Sequence, residues 1–557
     1  MSKPVRILAL LIAGVGSLLL TIITLRPPMI PADWARVDTN GIYIPPQVND
    51  DWTGYPLQVG LWALMMASLW LAAKGKDNAK ARRDEENYRL ACRDTPWRVP
   101  TQHPRILFAV ALLTLLGFAL RVYTLQRLPL IIDESGFAAH ASDILHRQQV
   151  PIFAPGHNGN PSVYSWLVAL AMSLWGQNRL AMRLIPLFFG TMSIPAAYFL
   201  GRTWYSQRVG VIAAAFVTTF PAHVFFSRMT LYDIVEPFFT TLALAWLVRA
   251  LRGGKPRDFV LAGMMAAGAQ YFYHGARLGL ALMAAYILLE LRLDRTRWRR
   301  YGSGLGWLAL TVGLMALPEV VTLVHFGLPI SGNLQPLRLP ADLAHNSLRA
   351  ALAWVGQPDV SPFWLGDAPL LPLFALIGFA LGLFVVIRCW RDPRSVVLLL
   401  SLVVTTIFGG AILTAAPLYV RYLMAAPAMA LLLGLGIESL FHARSALWRY
   451  TGVALIVFVV LQGALLAVHH VDEAYARITP SQWQEDRLAQ RAARLPSGTS
   501  LVLVVPADFG MIQRMTIAHS IAAYGERRAL ALNLSQPERI DEQRRRLPAP
   551  TAILYAS

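Results

Sequence analysis

Charge is scarce in this 557-residue chain, with Asp, Glu, Lys and Arg together making up 15% of it; an average soluble domain carries roughly a quarter. With 55% apolar residues and a mean hydropathy of +0.46, that shortage excludes an ordinary soluble enzyme, a solenoid and a disordered tail. Cysteine is scarcer still: Cys92 and Cys389 both fall in basic stretches, so no disulfide framework is expected. Several catalytic signatures are missing as well. There is no phosphate-binding glycine loop, no His-Glu-x-x-His, no Cys-x-x-Cys and no Gly-x-Ser-x-Gly. Internal repeats and low-complexity stretches are also absent.

What the chain has in quantity is apolar runs of about 17–25 residues, the length that crosses a bilayer core. The expectation is an all-α polytopic membrane protein of about 13 transmembrane helices with a small C-terminal α/β domain. The run 5–25 reads as an uncleaved anchor entering from the cytoplasm. Further spans are expected near 57–73, 106–124, 184–200, 209–226, 235–251, 259–274, 277–290, 304–324, 370–388, 396–413, 420–437 and 449–468. The run 161–176 breaks the parity and reads as a juxtamembrane or re-entrant helix.

The formal charge of +18 follows topology. Segment 74–105 holds nine Lys and Arg, whereas 325–369 holds only Arg338 and Arg349. Basic loops stay on the cytoplasmic side, which puts the site-bearing loops and the C-terminus outside the cytoplasm, at a cell membrane. A nucleic-acid partner is not expected, because no aromatic-interleaved basic groove is present. The division expected is 1–104 for two extra N-terminal helices and a basic loop, 105–468 for the transmembrane catalytic body, and 469–557 for the α/β domain. The strand-like closing residues leave a continuation past Ser557 open.

Three polar clusters fall at helix ends on the extracytoplasmic side. The first is Asp133-Glu134, with His140 two turns on. Neighbouring carboxylates diverge by about 100° on a helix, so they suit different tasks, one acting and one positioning; the alternative is a helix cap. The second runs Ser227-Arg228 to Tyr232-Asp233 and Glu236, where Arg228 can instead snorkel and Asp233 can cap. The third is Tyr271 to Arg277, with His274; a satisfied interfacial histidine is its alternative. Glu319 and Arg421 belong to the same side. A cap has no need of such one-sidedness, whereas a site for a phosphorylated lipid and a hydroxyl acceptor does.

In order and sidedness these residues resemble the GT-C glycosyltransferases, nearest to protein O-mannosyltransferases and lipid A aminoarabinose transferases. The resemblance runs from about Arg105 to Leu440, through Asp133-Glu134, Asn160-Pro161-Ser-Val-Tyr164-Ser-Trp166, Ala181-Met-Arg183, Ser227-Arg228, Asp233 and Arg421-Tyr422. It implies a polyprenyl-phosphate-linked sugar donor, an acceptor hydroxyl on lipid, glycan or protein, and inversion at the sugar. Asp133 matches the family's catalytic Asp, the general base, and Asp233 a second Asp that positions donor or acceptor. Glu134 joins them. Arg228, His274, Arg277 and Arg421 are the candidate donor-phosphate ligands; His140, Tyr232 and Glu319 are the candidate sugar or acceptor contacts. No cofactor is expected to be required, and a divalent metal is not predicted. The chain departs from the aminoarabinose transferases at Asn160, Gly136 and His274, where they carry Lys, Arg and Lys. The competing class is a lipid or glycan flippase, which predicts mid-span charges and paired repeats. A glycan-binding scaffold without catalysis would also fit a membrane chain with an outer domain, and a polymerase on lipid-linked oligosaccharide is the nearest rival among enzymes.

Overall fold

The computed structural model describes residues 3–24, 42–43, 54–73, 104–146, 152–153, 161–273, 275–293, 296–326, 340–361, 363–414, 416–443, 445–505, 511–526, 528, 530–533 and 535–555. The chain is a helical membrane protein. Two helices, α1 (Lys3–Thr24) and α2 (Gly54–Ala73), precede α3 (Pro104–Val122) and a short α4 (Ile132–Leu145). Then come α5 (Val163–Trp175), α6 (Arg179–Trp204), α7 (Gln207–Thr219) and α8 (Pro221–Phe226). The sequence continues through α9 (Val235–Gly253), α10 (Pro256–Gln270), α11 (Ala276–Leu293) and α12 (Thr296–Phe326). After α13 (Pro340–Leu352) follow α14 (Leu373–Arg388), α15 (Pro393–Thr406), the one-turn α16 (Tyr419–Tyr422), α17 (Ala426–Phe441) and α18 (Ala446–Arg477).

Helix runs through every expected span, and three are broken. Pro221 separates α7 from α8, a π-helical turn at Ile407–Ala411 ends α15, and a 3₁₀ turn at Leu423–Ala425 separates α16 from α17. Among the described residues, seven segments are long and apolar enough to cross a membrane, from Pro104–Val122 to Ala446–Arg477. The runs 3–24, 54–73, 163–175 and 373–388 hold shorter apolar helices. Residues of α3 and α18 such as Phe108, Leu115, Leu447 and Leu465 are exposed, as lipid-facing side chains would be. Local signals set the helix starts. Asn178 accepts the Ala181 N–H at 3.0 Å to open α6, and Ser206 accepts that of Val209 at 3.1 Å to open α7.

Small residues let the helices approach. A Cβ on Gly382 of α14 would lie 1.8 Å from the Leu432 carbonyl oxygen of α17, and one on Gly436 would lie 2.1 Å from that of Gly378. The two backbones are therefore in contact, as small-residue seams allow. The N-terminal pair α1 and α2 packs on this body, and Ser17 donates to the Leu314 carbonyl at 2.6 Å.

The C-terminal segment folds as expected, with α19 (Pro480–Ala493), β2 (Ser500–Val504), α20 (Met511–Tyr524), β3 (Leu530–Asn533), α21 (Ile540–Arg546) and β4 (Thr551–Tyr555). Strand β2 lies between β3 and β4, parallel to both. Two features went unanticipated. The short β1 (Ile42–Tyr43) adds to the sheet antiparallel to β3, pairing with Leu530 and Ala531. Helix α13 lies between the spans expected near 304–324 and 370–388, where no helix was expected. Helix α20 packs against α4, where Ser142 donates to the Gly525 carbonyl at 2.5 Å.

Candidate active site

Asp133 and Glu134 stand in the first turn of α4, just past the loop that leaves α3, and buried arginines order the chain on either side. A guanidinium has five N–H donors. Arg183, on α6, directs Nε and one Nη2 proton to the two Glu134 oxygens, each at 2.9 Å. Its remaining donors go to the carbonyls of Leu125 at 2.8 Å, Leu128 at 3.1 Å and Pro129 at 3.2 Å. Arg121, at the end of α3, is saturated in the same way. It donates to Ser227 Oγ, the carbonyls of Gly117, Val217 and Thr218, and His223 Nδ1. A buried charge is tolerable only when so partnered.

Glu134 is fully buried. Besides Arg183 it accepts the Thr230 N–H at 2.8 Å and, as a cap would, the Ile131 N–H at 3.4 Å. Its oxygens are thus committed to three segments: the start of α4, helix α6 and the 227–231 turn. That turn leads directly into Tyr232 and Asp233. Glu134 therefore joins the residues that carry Asp133 to those that carry Asp233.

Asp133 is half-buried in the first turn of α4. Asp233 lies within electrostatic reach of both Asp133 and Arg421, and Tyr232 interacts with all three. Rings line the same place. Phe137, one turn beyond Asp133, meets Tyr232 edge-on at 4.8 Å and Tyr164 at 5.1 Å. Tyr273 stacks on Tyr232 at 5.1 Å. Glu236 is buried beneath, its carboxylate accepting from Thr240 at 2.7 Å, within reach of Asp233 and Tyr273. His140 lies buried on α4, seven residues and so two turns beyond Asp133, on the same helix side.

Other expected members sit elsewhere. Arg228 is buried toward the end of α3, donating to Thr124 Oγ1 at 3.0 Å, with Arg183, Tyr123, Asp472 and Arg127 as its electrostatic neighbours. Its described partners thus lie at the end of α3, on α18 and at Arg183. Arg277 and Glu319, expected as separate phosphate and acceptor contacts, pair with each other at 3.7 Å. His274 lies outside the described residues. Arg183, which the motif resemblance marked without assigning it a task, emerges as the organiser of the loop. Nothing local announces it, since its carboxylate partner lies 49 residues back.

The chain is thus a multi-pass helical bundle with carboxylates gathered at one end and a small α/β domain packed beside α4. Residues 159–321 match a family model described as dolichyl-phosphate-mannose-protein mannosyltransferase. Among solved structures, the chain is similar to ArnT from Cupriavidus metallidurans bound to undecaprenyl phosphate. The two share 14% identity over 81% of this chain and 89% of that one, with a TM-score of 0.53. It is also similar to the oligosaccharyltransferase AglB from Archaeoglobus fulgidus, in complex with an inhibitory peptide and a dolichol-phosphate. There the identity is 15% over 77% of this chain, with a TM-score of 0.50. The chain spans 64% of AglB's length. At these identities the likeness is one of fold. No curated protein matches the chain.

Proposed function

We propose that this protein is a membrane glycosyltransferase that moves a sugar from a polyprenyl-phosphate donor to a hydroxyl acceptor on the extracytoplasmic side. The observation that carries the reading is the convergence of Asp133, Asp233, Arg421 and Tyr232 at one end of a GT-C bundle. Support comes from the two solved relatives, each holding a polyprenyl or dolichol phosphate.

The chemistry needs few groups. Asp133 takes the acceptor hydroxyl proton as the oxygen attacks the anomeric carbon. The bond to the phosphate oxygen breaks on the opposite face, and the phosphate leaves with the electron pair, inverting the sugar. Phosphate leaves readily as an anion, so no strong acid is required. Arg421 stabilises the charge building on it, an effect strengthened where water is excluded. Asp233 orients the substrates, and the Phe137–Tyr232–Tyr273 rings offer apolar faces to a sugar. Glu134 has no lone pair to spare and acts as the brace between the two catalytic segments.

The test uses the full chain in nanodiscs with radiolabelled polyprenyl-phosphate sugars, mannose first, and an acceptor panel of lipid, glycan and peptide hydroxyls. The wild-type chain is expected to release label from the lipid. Asp133→Asn should keep its binding of undecaprenyl phosphate while losing about 10²–10⁴-fold in release. Near-normal release by this variant would remove Asp133 from the role of base. A wild-type chain that neither releases sugar nor binds undecaprenyl phosphate would overturn the whole reading.

A further inference from the structure

Between α13 and α14 the chain passes over the site end of the bundle as a strap, and this strap is tied repeatedly to the segment that carries Arg421. The Asp359 carboxylate accepts the N–H of Tyr419, the first residue of α16, at 2.5 Å, and also the N–H of Ser361. The Tyr419 hydroxyl donates to the Gln357 carbonyl at 2.6 Å, and the Val360 N–H to that of Pro417 at 3.1 Å. Further along, Tyr422 donates to the Ala350 carbonyl at 2.6 Å, and the Asn346 amide to that of Leu413 at 2.8 Å. The Trp354 indole donates to Thr406 at 2.9 Å.

Helix α16 is only four residues long. One turn has no cooperative stability of its own, so its orientation is imposed by what holds it. Arg421 belongs to that turn, two residues beyond the N–H that Asp359 accepts. Burial pushes the Asp359 carboxyl up to about 6, against the pull of the N–H groups it accepts.

We propose that Asp359 is a positioning residue for the donor phosphate: by holding the Tyr419 N–H it fixes the α16 turn and sets Arg421 against Asp233. This rests on the reading of Arg421 as a lipid-phosphate ligand. The strap thereby becomes part of the transferase site without touching substrate.

The experiment is a double-mutant cycle on the full chain in nanodiscs, with sugar-free undecaprenyl phosphate as the probe and its affinity as the readout. Arg421→Ala is expected to weaken binding about tenfold or more. Asp359→Ala should weaken it about fivefold in the wild-type background and leave it unchanged when Arg421 is already Ala. Asp359→Asn keeps one acceptor oxygen and should stay within about twofold of wild type. Tyr419→Phe removes another tie of the strap while leaving the N–H, and should lose about two- to threefold in the same non-additive pattern. Should Asp359→Ala fail to fold, Tyr419→Phe carries the cycle. Full additivity of the strap variants with Arg421→Ala would mean general loosening and overturn the proposal, as would strap variants that bind like wild type while Arg421→Ala does not. If the wild-type chain fails to bind the probe, the functional reading falls, and this one with it.

Discussion

The two ends of the helical bundle treat charge differently. At the end away from the site, charged side chains tidy up helix termini. Arg394 pairs with Asp392 at 2.6 Å and donates to the Trp204 carbonyl at 3.0 Å, and Arg252 adds a second donor to that carbonyl at 3.0 Å. These cations complement the negative end of α6, as its dipole favours. Ser206 donates to Glu438 at 2.8 Å in the same service. At the site end, by contrast, Arg183 and Glu134 lie wholly inside the protein and pair with each other there, where Arg394 and Asp392 are partly exposed. The Asp133–Asp233–Arg421 group beside them exceeds anything a helix cap needs. One end uses its charges to finish helix termini, and the other buries them and ties three segments together.

The largest effect that would break this comparison is at Glu134. Glu134→Ala strands Arg183 as an uncompensated buried charge, which costs about 3–5 kcal/mol. The measured outcome is a large fall in the unfolding midpoint of the detergent-solubilised protein, and an unchanged midpoint would refute the brace. At the opposite end, Asp392→Ala removes a partly exposed pair and should cost no more than about 1 kcal/mol, read by the same melt. A loss there as large as that at Glu134 would erase the distinction between the ends.

A smaller and pH-dependent effect sharpens the contrast within the C-terminal domain. Glu485 is buried on α19, its Oε1 without a hydrogen-bond partner among the described residues, and burial pushes its carboxyl up to about 7 from 4.5. Its folded-state pKa is raised, so the protonated form is the stabilising one. That stability is fully present below about 4.5 and is lost as pH rises through 7. Glu485→Gln should therefore raise the midpoint at pH 8 and leave it near wild type at pH 4. A gain independent of pH would contradict this assignment.

Much of the fold was legible before any tertiary contact was known. Apolar runs announced the helices because a bilayer requires long apolar segments whose backbone groups pair internally. The alternating β and α signals after 470 announced the sheet domain for a similarly local reason. The site was legible in part. Asp133, Asp233, Tyr232 and Arg421 stood out as polar residues at apolar helix ends, and they do gather. Arg228, Arg277 and Glu319 stood out by the same signal, yet they find other partners. The signal registers that a charge needs an explanation, without saying which neighbour supplies it.

The sequence by itself thus determined the membrane-spanning character, the helix positions and the residues worth suspecting, because periodicity, capping and hydropathy act over a few turns of chain. Only the tertiary structure decided which suspects meet. It closed Arg183 on Glu134, sent Arg228 toward Thr124, paired Arg277 with Glu319, and laid the Asp359 strap across Arg421's turn. It also brought Ile42 and Tyr43 to a strand near residue 530. A buried charge takes whatever partner the packing of distant helices presents, and that choice is made in three dimensions.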